Sequence, residues 1–160
     1  MKLTREQMRS LIERYFAGCN DADIAAMTAC FAPDAVHYFP AGSPAFAPGP
    51  FVGAAVIAER WAQAVHEGGS SWTVDNFAGD EAAGIAVIEW THFRSRTGVT
   101  LRGDEWYRFD PQSGLITEIR AYYAAPQPAG AVTVELGGFD YAGRGYPLTS
   151  PVQRPSEAGR

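Results

Sequence analysis

Lysine occurs once, as Lys2, and basic residues nowhere cluster in this chain of 160 residues with a net charge of −5. A surface that follows a phosphate backbone needs a basic stripe, so nucleic acid is excluded as a partner. Cysteine is also scarce. Cys19 and Cys30 fall in segments with a helical pattern, their separation fits no zinc spacing, and buried reduced thiols are expected. Three histidines without matched spacing make a poor metal site, so no metal and no other cofactor is expected. No apolar stretch approaches the roughly 18 residues a membrane helix needs. No secretory leader is recognisable either, and the expectation is a soluble cytoplasmic protein without membrane partners.

The chain is correspondingly rich in core-forming residues. Hydrophobic residues make up 46% and aromatic residues 12%, with charged residues held to 19%. A chain of this size buries about 70% of its unfolded surface, so a single core is expected. The aromatic content suits either a pocket for an apolar ligand or a core that uses large side chains.

Periodicity divides the chain into helices followed by strands. Residues 4–18 place Met8, Leu11, Ile12, Tyr15 and Phe16 on one helical face, with Thr4 and Gln7 at capping-box spacing and Gly18 as the C-terminal cap. Residues 21–31 read as a second helix with Ile24, Met27 and Phe31 inward, ended by Pro33, and residues 35–39 as a short strand. Residues 41–50, AGSPAFAPGP, must be a loop. Residues 53–67 form a third helix with Ile57, Trp61, Ala64 and Val65 inward, closed by Gly68 and Gly69. Strands follow over residues 71–77, 83–96, 99–109 and 115–124, with Thr97-Gly98 as a two-residue hairpin turn. This order predicts an α+β fold, a domain over residues 1–125, and a Pro/Gly-rich extension over 126–160 that packs on the domain or on a dimer partner. The last ten residues are expected to fray.

The segment YFAGCNDADIAAMTACFAPDAVHYFP (15–40) and the segment GDEWYRFDPQSGLITEIRAYY (103–123) carry a resemblance to a known family. Together they resemble the nuclear transport factor 2-like superfamily, and within it the SnoaL-like polyketide cyclases and the ketosteroid isomerases. The resemblance spans roughly residues 4–124 and implies a cone-shaped α+β barrel, three N-terminal helices packed on a curved, mostly antiparallel sheet. It implies a homodimer as well. Tyr15 falls on the isomerase tyrosine that donates to a developing oxyanion, and Glu105 on an acidic residue that shares that role. The isomerase general base, an aspartate, is replaced here by Phe39. Phenylalanine cannot take a proton, so steroid-type isomerisation by the usual groups is disfavoured.

Strand pairing suggests which polar groups share the cone. A two-residue turn at Thr97-Gly98 pairs Arg96 with Val99, His92 with Gly103 and Trp90 with Glu105, all on one face. Alternation along the earlier strand adds His37 to the face of Phe39. The candidate catalytic residues are therefore Tyr15, His37, His92 and Glu105, and the candidate substrate-binding residues Phe39, Trp61, Trp90, Tyr107 and Tyr123. Either histidine could move a proton near neutrality, and Glu105 could orient a histidine or act as an acid of raised pKa. Each also has a plain structural alternative as a core histidine, core aromatic or ion-pair partner. His66 reads as a surface residue at a helix C-terminus, and Arg144 between two glycines as a turn residue or an anion clamp.

The composite expectation is an acid–base enzyme that uses no cofactor, a lyase or isomerase acting on a small apolar, aromatic or polycyclic substrate. Aldol or retro-aldol chemistry, dehydration and double-bond migration all need a proton removed beside a polarised oxygen in a dry cavity. An epoxide-hydrolase-like hydrolase and a non-catalytic small-molecule binding module are the alternatives.

Overall fold

The computed structural model describes residues 3–40, 49–123 and 136–149. Helix α1, Arg5–Asp21, begins at the expected capping box, with the Thr4 hydroxyl accepting from the Gln7 amide and the Gln7 side chain accepting from the Thr4 amide. It runs a turn beyond Gly18 and ends on Ala22, which adopts a left-handed φ of 53°. Gly18 serves packing instead of capping, since a Cβ there would meet Met27 Cγ at 3.0 Å. Helix α2, Ile24–Thr28, is capped by the Asp23 carboxylate and is much shorter than the sequence pattern suggests; Ile24 is exposed, not inward. Cys30 consequently lies between α2 and the next strand rather than in a helix, and both cysteines are free and buried.

Strand β1, Phe31–Tyr38, starts four residues earlier than expected and runs through Pro33. Its ladder to the last strand jumps between Phe31 and Val36, and Pro33 falls in that irregular stretch, where its missing N–H breaks no pairing. Strand β2, Phe51–Val52, is a short edge, and helix α3, Ala54–Gly68, follows with Ile57, Ala58, Trp61 and Ala62 buried. His66 lies exposed in its last turn, and residues 41–48 and 151–160 fall outside the described residues.

Strands β3, Ser70–Asp80, β4, Ile85–Arg94, β5, Val99–Phe109, and β6, Ile116–Tyr123, form an antiparallel meander. The sheet order is β2-β1-β6-β5-β4-β3, with β1 parallel to β6. The sheet is curved and does not close on itself. Asn20 fastens the end of α1 to β3 by exchanging two hydrogen bonds with the Trp72 backbone, at 2.9 and 2.7 Å. The three helices pack on one face of the sheet, where Ile88, Trp90, Tyr107, Ile119 and Ala121 join Met8, Ile12 and Ile57 in one core.

The β4–β5 connection corrects the expected register. Arg94 pairs with Val99, so the turn has four residues, 95–98, and His92 lies opposite Leu101, Trp90 opposite Gly103, and Ile88 opposite Glu105. A slip of two residues preserves faces, so the residues assigned to the inner face remain there.

The outer face of β1 and β6 is covered by residues 136–149. Phe139 packs edge-on against Tyr38 with ring centroids 5.2 Å apart, and Arg144 makes a bidentate pair with Glu118 at 2.6 and 3.1 Å. Arg144 therefore clamps the chain's own carboxylate on the side away from the cone. Arg120 adds a contact to Glu118 at 3.5 Å and a hydrogen bond to the Tyr146 hydroxyl at 2.8 Å.

Gly103 marks a point where the sheet admits no side chain. A Cβ there would strike the Tyr122 carbonyl oxygen and stand 2.7 Å from both Trp90 Cζ2 and Tyr123 Cβ. Gly103→Ala is expected to cost about 1–3 kcal/mol through overpacking. Urea unfolding should show a lower midpoint at unchanged slope, and an unmoved midpoint would mean the Trp90 wall yields freely.

Candidate functional site

The inner face and the helices enclose a cavity with a polar floor, aromatic walls and a half-open rim. Its floor carries Tyr15 from α1 and Glu105 from β5, with Cys19 one helical turn beyond Tyr15. Phe16, Phe39, Trp61, Trp90 and Ala121 form the walls. The rim residues Trp72, Arg94, Leu101 and Tyr123 are only partly buried, which fixes the direction of the mouth. The free volume is about 30 Å³, room for roughly one or two waters.

Glu105 is 7% exposed and sits among uncharged groups. The Tyr107 hydroxyl donates to its Oε2. Its Oε1 faces His37 Nε2 at 3.8 Å, and neither ring nitrogen of His37 has a hydrogen-bond partner among the described residues. Strand β6 runs between the two, and Ala121, paired with Glu105, contributes only a methyl group. Burial dominates both titrations. It lifts Glu105 to about 7, against a smaller opposing effect of the Tyr107 hydrogen bond. It lowers His37 to about 3. The pair is thus a neutral imidazole beside a carboxyl poised between its two forms, not an ion pair. Tyr15 is pushed well above the ordinary tyrosine range, chiefly by burial and further by neighbouring Cys19 and Glu105, so its hydroxyl remains a donor.

His92 stands higher in the cavity. Its Nε2 lies 2.9 Å from Ser70 Oγ, and its ring stacks on Trp72 with centroids 4.5 Å apart. Burial, reinforced by the Arg94 charge, lowers it to about 4. His92 lies opposite Leu101, four residues from Glu105 along β5, or roughly 13 Å at the usual strand rise.

Of the sequence-derived candidates, Tyr15, Glu105, His92, Phe39, Trp61, Trp90 and Tyr123 line the cavity. His37 and Tyr107 do not; both lie fully buried behind Glu105. Sequence reasoning missed Phe16, Cys19, Trp72, Arg94, Leu101 and Ala121. Cys19 could have been found by its i+4 spacing from Tyr15, and Arg94 by alternation two residues beyond His92. Among the described residues no group of His, Cys, Asp and Glu could hold a metal ion.

Helices packed on a curved, mostly antiparallel sheet give the cone-shaped α+β fold that NTF2-like proteins of known structure share. Residues 12–119 match the SnoaL-like domain family, and the chain belongs to that family. A protein of unknown function with a cystatin-like fold from Methylobium petroleophilum PM1 is 52% identical, at a TM-score of 0.89, over 98% of this chain and 100% of that one. An NTF2-like protein of unknown function from Mesorhizobium loti shares the fold at 20% identity and a TM-score of 0.60, over 76% of this chain and 93% of that one. Bal32a, from a soil-derived mobile gene cassette, shares it at 18% identity and a TM-score of 0.64, over 74% and 90%. No curated protein matches the chain.

The two buried groups give opposite pH signatures. Glu105, raised from 4.5 to about 7, holds its proton in the folded chain only, so its contribution weakens folding as pH rises through that window. His37, lowered from 6.5 to about 3, is protonated first in the unfolded chain, so its contribution weakens folding as pH falls through that window. Glu105→Gln should remove the first effect. The stability difference, variant minus wild type, is expected to grow by up to about 3 kcal/mol from about pH 4 to about pH 8. Equal differences at both ends, measured by denaturant unfolding, would mean that Glu105 titrates like an exposed carboxylate.

Proposed function

We propose that the cone is the substrate chamber of a proton-transfer enzyme of the lyase or isomerase class, working without a cofactor on a small apolar, aromatic or polycyclic compound. The Glu105 carboxylate takes a proton from the carbon beside a carbonyl. The Tyr15 hydroxyl donates a hydrogen bond to the enolate oxygen that forms, and Glu105 returns the proton at the same or a conjugated carbon. The observation that carries this reading is the ionisation of Glu105 near neutrality on the cavity floor, beside a buried tyrosine that keeps its proton. A base with a pKa near the working pH is present in useful amounts both with and without its proton.

In this reading Glu105 replaces the histidines as the proton carrier. His37 does not line the cavity, and His92, buried higher in the cavity, is in a neutral pair with Ser70. His37 and Tyr107 are positioning residues that set the carboxyl's environment. The Trp90 indole N–H has no hydrogen-bond partner among the described residues and offers a further donor in the wall. The hydrolase alternative loses support from the placement of its groups. An Asp–Arg–Asp grouping occurs at Asp75, Arg102 and Asp104, but it lines a groove outside the cone, where Arg102 bonds to Thr91 at 2.8 Å. A ligand-sequestering module remains the second reading, favoured by the largely aromatic walls of the cavity. The proposal extends to a cytoplasmic homodimer that meets through the outer face around Trp106, which is exposed.

Deuterium incorporation into aryl ketones and β-dicarbonyl compounds in heavy water, followed by NMR, tests the chemistry. Wild type should catalyse exchange with a pH inflection at about 7. Glu105→Gln should abolish it, and Tyr15→Phe should slow it by about 10²-fold. Tyr107→Phe removes a hydrogen bond that favours the carboxylate, so the inflection should move to higher pH. Compounds that bind without exchanging would favour the binding module.

A further inference from the structure

The rim carries a cation that the proton-transfer reading does not use. Arg94 lines both the cone cavity and an adjoining groove bordered by Arg60, Gln63, Glu67, Ser70 and Thr97. It is the only basic side chain lining the cavity among the described residues, apart from the neutral His92. Its backbone carbonyl accepts from the Thr97 and Gly98 amides, which fixes it at the base of the β4–β5 turn. Its guanidinium has no hydrogen bond or ion pair among the described residues. Four other arginines are engaged: Arg9 pairs with Glu13, Arg102 with Thr91, and Arg120 and Arg144 with Glu118. Glu67, the carboxylate in the adjoining groove, is engaged by Gln63 Nε2 at 2.6 Å. Glu105 lies six residues down β5 from the level of Arg94, roughly 20 Å at the usual rise.

We propose that the cone takes a carboxylic acid: the substrate's carboxylate is held at the mouth by Arg94, and its apolar, elongated body reaches towards the floor. A guanidinium presents a planar fork that matches a carboxylate with two parallel hydrogen bonds. One such fork beside aromatic rings suits a singly charged acid, whereas a phosphate dianion calls for more positive charge than this acidic protein gathers there. The separation from Glu105 favours a fused-ring acid, or an aryl group on a chain, over a single small ring. This inference rests on the cone being the ligand chamber.

Quenching of tryptophan fluorescence, with calorimetry, measures binding of 2-naphthoate and 4-phenylbutyrate against their uncharged amides. Wild type should bind each acid at least about tenfold more tightly than its amide, with a preference that shrinks as salt rises. Arg94→Gln should erase the preference and leave amide affinity and melting temperature unchanged, and Arg94→Lys should retain part of it. Equal affinity for acid and amide, a preference that survives Arg94→Gln, or no acid binding at millimolar concentration would each overturn the proposal. Acid binding that survives Glu105→Gln, with no exchange on any ketone, would uphold the carboxylate site and remove the catalytic reading.

Discussion

A carboxyl group buried without a cation is the constraint from which the rest of the cone can be understood. Removing Glu105 from water disfavours its charge, and a nearby positive group would have restored it. Among the described residues none stands beside it. His37 approaches to 3.8 Å but is itself so buried that it stays neutral, and Arg94, the one guanidinium lining the cavity among the described residues, stands at its far end. The Tyr107 hydroxyl is what steadies the ionised form, and it does so only in part. The surrounding indoles and phenyl rings keep the dielectric low, and Ala121 leaves the gap across which imidazole and carboxyl meet.

The opposite face of the same sheet handles a carboxylate the other way. Glu118, on β6 beside Ile119, is 8% exposed, close to the burial of Glu105, yet Arg144 and Arg120 surround it. The charge there is compensated by the bidentate Arg144 fork. The two glutamates share a sheet and a degree of burial and differ in their partners. One fastens residues 136–149 to the outer surface, and the other keeps a proton within reach of a cavity. Burial alone therefore says little about what a carboxylate does; the identity of its neighbours decides.

The fold was legible because its signals were local. The Thr4–Gln7 box, the inward stripe of α1 and the alternation of β4 and β5 each follow from short-range periodicity. Errors arose where distant contacts override that periodicity. Gly18 looks like a helix stop, but its missing side chain accommodates Met27, a contact no helical pattern encodes. Pro33 looks like a helix breaker before a strand, but the partner strand lets it sit in an irregular stretch. The strand residues assigned to the inner face stay there, since a two-residue change in the turn leaves inner residues inner. Depth was not recovered. Whether a residue on the inner face touches the cavity, as Glu105 does, or lies behind it, as His37 and Tyr107 do, depends on helix packing across the sheet. The difference in role between His92 and Glu105 depended on their separation along the strands, which the assumed register set too small.

The four-residue β4–β5 turn has a bearing on how such a cone changes over time. Residues can enter or leave the tip of this hairpin two at a time, one on each strand, and every side chain below the change keeps its face. The mouth then becomes deeper or shallower while the floor with Tyr15 and Glu105 stays as it is. A single-residue change in one strand would instead turn Trp90, His92 and Arg94 outward together. Loop length at this end is thus a parity-restricted dial for chamber depth, one that leaves the chemistry at the floor untouched.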